Sequence, residues 1–270
     1  MTQIIPARAR RVLLAMSLGI ATSLGHLPAA AQTTPPATVQ TGVRGADRAT
    51  LAAQAQAAWF KGDDAALGRA AAAAAGLAGS ANAPDRYGQA FVQFRVLQRA
   101  VGAQRSKDAE RAGAACIAAT DAAVKAEPKF AEAFALQSAC YGYLANLGGL
   151  GAIRNGSRSG KAMEAALALE PRHPRVQLVE GFGLYFRPAF VGGDKGKGCA
   201  RFRAAVAAFD AAGPGGAGGV GGIEWGAPEA HYWAGRCARD AGDTAAAAKS
   251  FERALALAPE FVAARRALGR

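Results

Sequence analysis

Length, composition and charge exclude several classes of protein. The 270-residue chain is 51% apolar, which excludes a disordered protein, and its 7% of aromatic residues among abundant alanine and glycine favours closely packed helices over a β-sandwich. A GC-rich genome would produce part of the same bias. The formal net charge of +12 indicates a basic surface. Its partner would be an acidic protein, anionic lipid head groups or a cell-wall polymer. The alternative is a solvated basic surface without a dedicated partner.

Residues 1–31 have the pattern of a secretory signal peptide. Three arginines precede an apolar run at Val12–Gly25, and the small residues Ala29–Ala31 provide a cleavage site before Gln32. An uncleaved membrane anchor is the alternative, but the run is shorter than the roughly 20 residues that span a bilayer. Loss of the signal lowers the net charge from +12 to +9. The sequence therefore predicts a periplasmic or secreted protein with no membrane span in its mature chain and no nucleic-acid partner.

A flexible lead-in at residues 32–45, marked by two threonines and two prolines, precedes a series of helices. Apolar residues recur at helical spacing, and glycine, aspartate or proline marks the helix ends. The predicted helices are Thr50–Phe60, Asp64–Leu77, Asp85–Ala103, Lys107–Ala126, Phe130–Leu147, Ser159–Leu169, Pro174–Phe186, Asp194–Ala212, Ala230–Asp240 and Thr244–Ala258. The glycine-rich linker 213–222 interrupts this series and is predicted to be mobile, either as a tolerated surface insertion or as a hinge.

The glycine-rich loops do not match phosphate-binding motifs. Residues 192–197 lack the first glycine and the Ser/Thr of a P-loop, and Arg154 stands where a dinucleotide fingerprint needs its third glycine. The mature chain has two histidines, His173 and His231, and no C-x-x-C, so the sequence does not indicate a zinc or haem site. It predicts no catalytic residue, no metal and no cofactor.

The stretch at residues 228–261 resembles a tetratricopeptide repeat (TPR), a helical hairpin of 34 residues. Small residues stand at Gly235, Ala247 and Ala254, Phe251 provides the aromatic residue between the helices, and Pro259 closes the unit. The usual Trp and Leu of the first helix are replaced by histidine and alanine. Residues 128–171 and 174–212 show the same spacing with longer turns. The resemblance implies an all-α, TPR-like α-solenoid of stacked helical hairpins over residues 46–270.

A second resemblance covers roughly the second half of the chain. The string FRPAFVGGDKGKG at residues 186–198 and the pair Trp225-Gly226 resemble exported bacterial TPR proteins, including those related to the TPR component associated with TRAP transporters. This similarity implies, as an alternative function, a small-ligand-binding accessory of a transport system.

The repeat register also predicts how the four cysteines pair. Cys116 and Cys199 fall near the start of a second helix, while Cys140 and Cys237 fall at position ten of the following first helix. Because each second helix of a solenoid packs on the next first helix, and export leads to an oxidising compartment, we expect Cys116 to bond Cys140 and Cys199 to bond Cys237. Four buried thiols are the alternative.

In TPR families the first helices line a concave binding face, and matching positions identify candidate residues here. This carry-over places Glu132 and Glu229 at the second position of their repeats. The residues expected to bind a protein or peptide with acidic groups are Arg175, Phe182, Tyr185, Tyr232, Arg236 and Arg239. Alternatively, Phe182 and Phe186 belong to the core, and Arg236 and Arg239 form a solvated stripe.

The function that the sequence predicts is an exported scaffold or adaptor that mediates protein or peptide binding without catalysis. A small-ligand-binding accessory of a transport system is the alternative, and a cell-envelope enzyme on a helical scaffold is a third possibility. The sequence does not specify the oligomeric state.

Overall fold

The computed structural model describes residues 43–213 and 219–270. Within these ranges the chain is helical and contains no strand, in agreement with the predicted all-α class. The helices are α1 (Val43–Lys61), α2 (Asp64–Ala74), α3 (Ala83–Gly102), α4 (Ser106–Ala126), α5 (Ala131–Asn146), α6 (Ala152–Leu169), α7 (Pro174–Phe186), α8 (Lys195–Ala212), α9 (Ala227–Asp240), α10 (Thr244–Leu257) and α11 (Val262–Ala267). Among them, none has the length and apolarity needed to cross a membrane. The predicted signal, the lead-in up to residue 42 and residues 214–218 of the glycine-rich linker lie outside the described residues.

Consecutive helices pair as hairpins, namely α1 with α2, α3 with α4, α5 with α6, α7 with α8 and α9 with α10. The second helix of one hairpin also packs on the first helix of the next, as α4 does on α5 and α8 on α9. The first helices α1, α3, α5 and α7 contact their neighbours in turn and form the inner layer. This arrangement is the predicted TPR-like α-solenoid, in which each hairpin buries its apolar face against the adjacent hairpins.

Two helices begin seven residues earlier than the sequence pattern predicts, whereas α3, α4 and α9 begin one to three residues earlier. Helix α1 begins at Val43, inside the predicted lead-in, and α6 begins at Ala152 instead of Ser159. The first turns of α6 contain Gly156 and other residues of low helix propensity, and the pairing of α6 with α5 outweighs that preference. Helix α11 has no counterpart among the predicted helices, because its six residues span less than two helical turns and are too few for a recurring apolar pattern to be recognised.

A small residue facing a large ring sets the distance between the helices of a hairpin. A Cβ atom added at Gly235 of α9 would lie 2.8 Å from the ring of Phe251 on α10, and one at Gly181 of α7 would lie 2.6 Å from Phe202 on α8. Both distances are shorter than a van der Waals contact, so a larger residue would displace the ring. The small and aromatic positions of the two repeats therefore have the packing roles that the register predicts.

The first and last helices contact each other, so the solenoid closes on itself. Phe60 of α1 and Phe261, which precedes α11, have ring centroids 4.2 Å apart, and Trp59 lies 5.9 Å from Phe261. Phe60 and Phe261 are buried together with Ala264 in a core cluster separate from the main core. Burial of these apolar groups stabilises the contact between the two ends of the described chain.

Two pairs of cysteines lie at disulfide distance, and they are the pairs that the register predicts. The Cα atoms of Cys116 on α4 and Cys140 on α5 are 6.3 Å apart, and those of Cys199 on α8 and Cys237 on α9 are 5.8 Å apart. Native disulfides join Cα atoms about 4.4 to 6.8 Å apart. Each pair links a second helix to the following first helix. Oxidation of the four thiols in the cell stays a prediction.

Candidate functional site

Part of the inner face of the solenoid is filled by a segment of the same chain. Residues 219–226, here called the inner segment, precede α9 and lie along this face, and Ile223 and Trp225 are 0% and 4% exposed. The Trp225 indole lies 5.5 Å from the ring of Phe91 and 6.3 Å from that of Phe94, both on α3. The inner segment therefore occupies the part of the expected concave binding face that lies beside the N-terminal halves of the first helices.

Gly226 allows the inner segment to turn into α9. Its φ of 103° lies in the region that favours glycine, and an added Cβ would lie 2.7 Å from the ring of Phe209 and 3.2 Å from Leu178 Cδ2. The Gly226 N–H donates to Glu229 Oε2 at 3.1 Å, which satisfies a main-chain donor at the start of α9. The Trp225-Gly226 pair thus combines a buried anchor with a turn that a side chain would obstruct.

Arg175 holds the inner segment by its main chain. Its Nε donates to the carbonyl of Trp225 at 3.0 Å and its Nη2 to the carbonyl of Ile223 at 3.5 Å, while Nη1 donates to Glu132 at 3.0 Å. The Tyr87 hydroxyl donates to Glu132 at 2.9 Å and accepts the Trp225 indole N–H at 2.8 Å. Because these buried groups are mutually compensated, the cluster fixes the inner segment without leaving an unpaired charge.

A second buried arginine, Arg95 of α3, links the first and last hairpins. Its guanidinium pairs with Glu229 of α9 and donates to Gln56 of α1 at 2.7 Å, and Gln56 donates to Glu229 at 3.0 Å. The Arg95 Cζ also lies 4.3 Å from the ring centroid of Trp59 and 5.6 Å from that of Trp225, within cation–π range. The closure of the solenoid therefore depends on a polar network as well as on apolar contacts.

Three of the first helices carry the same kind of ion pair in their first turn. A carboxylate near a helix N-terminus is favoured by the helix dipole, and here each one also meets an arginine from another helix. The pairs are Asp85 with Arg48, Glu132 with Arg175, and Glu229 with Arg95. The partners are 37 to 134 residues apart in sequence, so the repeat pattern does not show that they meet.

The structure corrects the prediction for one binding residue. Arg175 is fully buried and its donors serve the chain itself, so it is not on an accessible binding face. A buried cluster of titratable groups would favour an enzyme. Here burial, followed by the charge of Glu132, raises the pKa of Tyr87 well above its usual range, and the hydroxyl already has a donor and an acceptor. The cluster is therefore suited to holding the inner segment.

The other predicted binding residues come together where α7 meets α9, near the C-terminal ends of these helices. Trp233 is at the centre, with ring centroids 5.0 Å from Phe186, 5.6 Å from Tyr185, 5.8 Å from Phe182 and 5.4 Å from Tyr232. Trp233 was missed because it stands at position six of its repeat, outside the positions that line concave faces. We call this group, with its two arginines, the aromatic–basic patch: Phe182, Tyr185, Phe186, Tyr232, Trp233, Arg236 and Arg239.

The arginines give the aromatic–basic patch its positive charge and a free donor. Arg236 Cζ lies 5.4 Å from the Trp233 ring centroid, and Nη1 donates to the Tyr232 hydroxyl at 3.3 Å, which is the main cause of a raised pKa for Arg236. Its Nε is buried and has no hydrogen-bond partner. Arg239 is exposed, and Phe186 is 49% exposed. The patch can therefore offer a ring surface and a guanidinium donor to an acceptor.

The Tyr185 hydroxyl is positioned by the end of α9. It donates to Asp240 at 3.0 Å, and its ring lies 5.6 Å from Lys195 Nζ. Burial, followed by this hydrogen bond and by the charge of Asp240, raises the pKa of Tyr185 above its usual value. The phenol therefore stays protonated at neutral pH and acts as a fixed donor within the patch.

A separate pocket of about 250 Å³ lies between α4, α5 and α6. Asp121 and Gln137 contribute to its lining, with Gln137 donating to Asp121 at 2.6 Å, and Arg158 lies on the other side. Pockets that enclose small molecules usually measure about 300 to 1,000 Å³. This pocket is smaller and partly charged, so it gives little support to a small-ligand site.

Comparisons with known proteins agree with the architecture. Residues 228–261 match the tetratricopeptide repeat family. The fold is similar to that in the crystal structure of a thermophilic TPR protein from Thermus thermophilus, with a TM-score of 0.50, 16% sequence identity, and coverage of 83% of this chain and 97% of that chain. The comparison with curated proteins found no match. The molecule is thus a TPR-like α-solenoid with a tetratricopeptide repeat at residues 228–261.

Proposed function

We propose that this protein is an exported, non-catalytic scaffold that binds an extended, acidic segment of another protein at the aromatic–basic patch. The observation that carries the proposal is the placement of two guanidinium groups, the partly exposed Arg236 and the exposed Arg239, at the same helix ends as the half-exposed ring of Phe186. Guanidinium groups bind carboxylates through charge-assisted hydrogen bonds, which are stronger than neutral ones. Aromatic residues and arginine are also the residue types that contribute most to binding at protein interfaces.

The inner segment supports the proposal because it shows how this solenoid holds a stretch of chain. Arg48 donates to the carbonyl of Gly221 at 3.0 Å, and Arg175 donates to the carbonyls of Ile223 and Trp225. Main-chain hydrogen bonds combined with a buried aromatic anchor are the means by which many receptors bind extended peptides. The aromatic–basic patch offers the same chemistry, with arginine donors and ring surfaces. Tyr185 is buried and Phe182 and Trp233 pack against the core, so its exposed members are Phe186 and Arg239.

Export is part of the proposal, and the cysteine pairs support it. Both pairs lie at disulfide distance, and disulfides persist in oxidising compartments such as the periplasm. Amino-terminal sequencing of the protein recovered from the periplasm should begin at Gln32. A chain that keeps its first 31 residues would contradict cleavage, and a cytoplasmic chain would contradict export.

The binding proposal can be tested with displayed random peptides. We expect the protein to enrich peptides in which an acidic residue lies close to an aromatic or aliphatic one. The double variant Arg236→Ala/Arg239→Ala should bind the enriched peptides at least about tenfold more weakly, since arginine contacts of this kind are worth about 2 kcal/mol.

The matched control is Arg203→Ala/Arg266→Ala, which removes the same charge from exposed positions on α8 and α11. This variant should bind the peptides as the unmodified protein does. If both double variants lose the same affinity for the peptides, the effect is one of net charge and the site is refuted. Equal binding by all three proteins would also refute the site.

A further inference from the structure

One edge of the solenoid collects the turns within the hairpins. Each hairpin reverses the chain, and the short connection at residues 170–173 reverses it again, so α5 and α7 run in the same direction. The turn from α5 to α6 (residues 147–151) and the turn from α7 to α8 (residues 187–194) therefore lie on the same edge of neighbouring hairpins. We call these two turns, with the first turns of α6 and α8, the turn edge.

The turn edge carries the most exposed large apolar side chains among the described residues. Leu150 is fully exposed, Phe190 and Ile153 are 89% and 88% exposed, and Val191 is 52% exposed. Leu150, Phe190 and Val191 lie in the two turns, and Ile153 lies in the first turn of α6. Large apolar side chains are usually buried when a protein folds. Four exposed ones on a single edge therefore indicate that an apolar phase or a partner covers them.

The same edge is basic, and one of its lysines, Lys197, pairs with Asp194 at 3.5 Å. No acidic residue occurs from residue 147 to 163, and from 187 to 203 Asp194 is the single acid, which caps α8 by accepting the N–H of Lys197 at 2.9 Å. Arg154, Lys195 and Lys197 are exposed in the first turns of α6 and α8. Helix N-termini favour acidic residues, so basic side chains there oppose the helix dipole. An external anion would remove that disadvantage.

We propose that the turn edge docks on the surface of a bilayer that contains anionic phospholipids. Leu150, Ile153 and Phe190 enter the interfacial region, while the surrounding lysines and arginines face the lipid phosphates. A protein partner would be expected to offer concave pockets for such tips, whereas a bilayer accepts projecting apolar tips ringed by cations without a matched shape. Each basic side chain near an anionic surface adds attraction that salt weakens.

Vesicle sedimentation combined with hydrogen exchange tests the proposal. The chain as recovered from cells should bind vesicles containing phosphatidylglycerol more strongly than vesicles of phosphatidylcholine alone, and less strongly as salt increases. Bound vesicles should slow amide exchange at residues 147–153 and 188–194. The variants Leu150→Ser/Phe190→Ser and Arg154→Glu/Lys197→Glu should each bind at least about tenfold more weakly.

Matched controls lie on the opposite edge. Leu169→Ser/Leu257→Ser removes exposed apolar residues from the ends of α6 and α10, and Lys129→Glu/Arg172→Glu reverses two exposed charges in the turns between hairpins. Both controls should bind vesicles as the unmodified protein does. Losses as large as those of the turn-edge variants, or protection confined to other residues, would overturn the proposal. Absence of any preference for anionic vesicles would also overturn it and leave the edge to a protein partner.

Discussion

Replacing Trp225 with alanine should lower the free energy of unfolding by about 4 to 5 kcal/mol. A buried indole removes about 150 to 250 Å² from water, which at about 25 cal/mol per Å² sets an upper bound of about 4 to 6 kcal/mol. Large-to-small replacements of buried tryptophan cost about 3 to 5 kcal/mol. Trp225 is 4% exposed and also donates its indole N–H to Tyr87, so the upper part of that range applies.

A second substitution separates the ring from its hydrogen bond. Trp225→Phe keeps most of the apolar contact with Phe91 and Phe94 but loses the donor to the Tyr87 hydroxyl, which can still donate to Glu132. We expect a loss of about 1 to 2 kcal/mol. The free energy of unfolding of both variants is measured by urea unfolding under oxidising conditions, followed by far-UV circular dichroism. An unchanged slope of this free energy against urea concentration indicates that all the proteins unfold in the same transition.

Phe190→Ala is the control, because Phe190 is 89% exposed and its replacement should change stability by less than about 0.5 kcal/mol. If Trp225→Ala costs less than about 1 kcal/mol, or no more than the control, the inner segment does not anchor the solenoid. If Trp225→Phe costs as much as Trp225→Ala, the hydrogen bond to Tyr87 dominates the anchor and the area argument is wrong.

Two further predictions concern the cysteines and His231. Non-reducing peptide mapping should find Cys116 joined to Cys140 and Cys199 joined to Cys237, whereas mixed pairs or free thiols would contradict the prediction. Because the disulfides close loops of 24 and 38 residues, each should stabilise the fold by about 3 to 4 kcal/mol on the chain-entropy account. A Cys116→Ala/Cys140→Ala variant should therefore unfold at a lower urea concentration. Burial lowers the pKa of His231 below its usual value, with Asp210 opposing this shift and Arg253 adding to it. The stability associated with neutral His231 is therefore fully present above the unfolded pKa and is lost as pH falls from the unfolded pKa through the folded one. Unfolding midpoints between pH about 7.5 and about 5.5 should fall less steeply in His231→Gln, and an unchanged slope would refute the assignment.

The part of the fold that could be predicted from sequence is the part set by neighbouring residues. Gly235 and Phe251 are recognisable because a small residue and a ring recur at a fixed spacing within one hairpin, and the cysteine pairs follow from the same register. The inner segment could not be predicted, because Trp225 meets a hydroxyl 138 residues earlier and no periodicity connects them. For the same reason Arg95 was absent from the predicted site, although it joins the two ends of the solenoid.

The candidate site likewise contains residues whose position the repeat register predicts and residues whose contacts it does not predict. Five of the six predicted binding residues lie together at the aromatic–basic patch, because positions on α7 and α9 that share a register also share a face. Arg175 is the predicted binding residue that lies elsewhere. Three of the other first helices have a carboxylate at the equivalent position of the repeat, whereas α7 has this arginine, which reaches both Glu132 and the carbonyls of the inner segment.

The inner segment also has a consequence for binding at the patch. It fills the inner face beside the N-terminal halves of the first helices, and the Arg95 network ties α3 to α1 and α9. The aromatic–basic patch lies at the C-terminal ends of α7 and α9, on helices whose N-terminal ends are fixed by these contacts. A partner would meet rings and guanidinium groups that are already ordered, which reduces the entropy lost on binding. Substitutions in the patch should then act mainly by speeding dissociation, with smaller effects on the association rate.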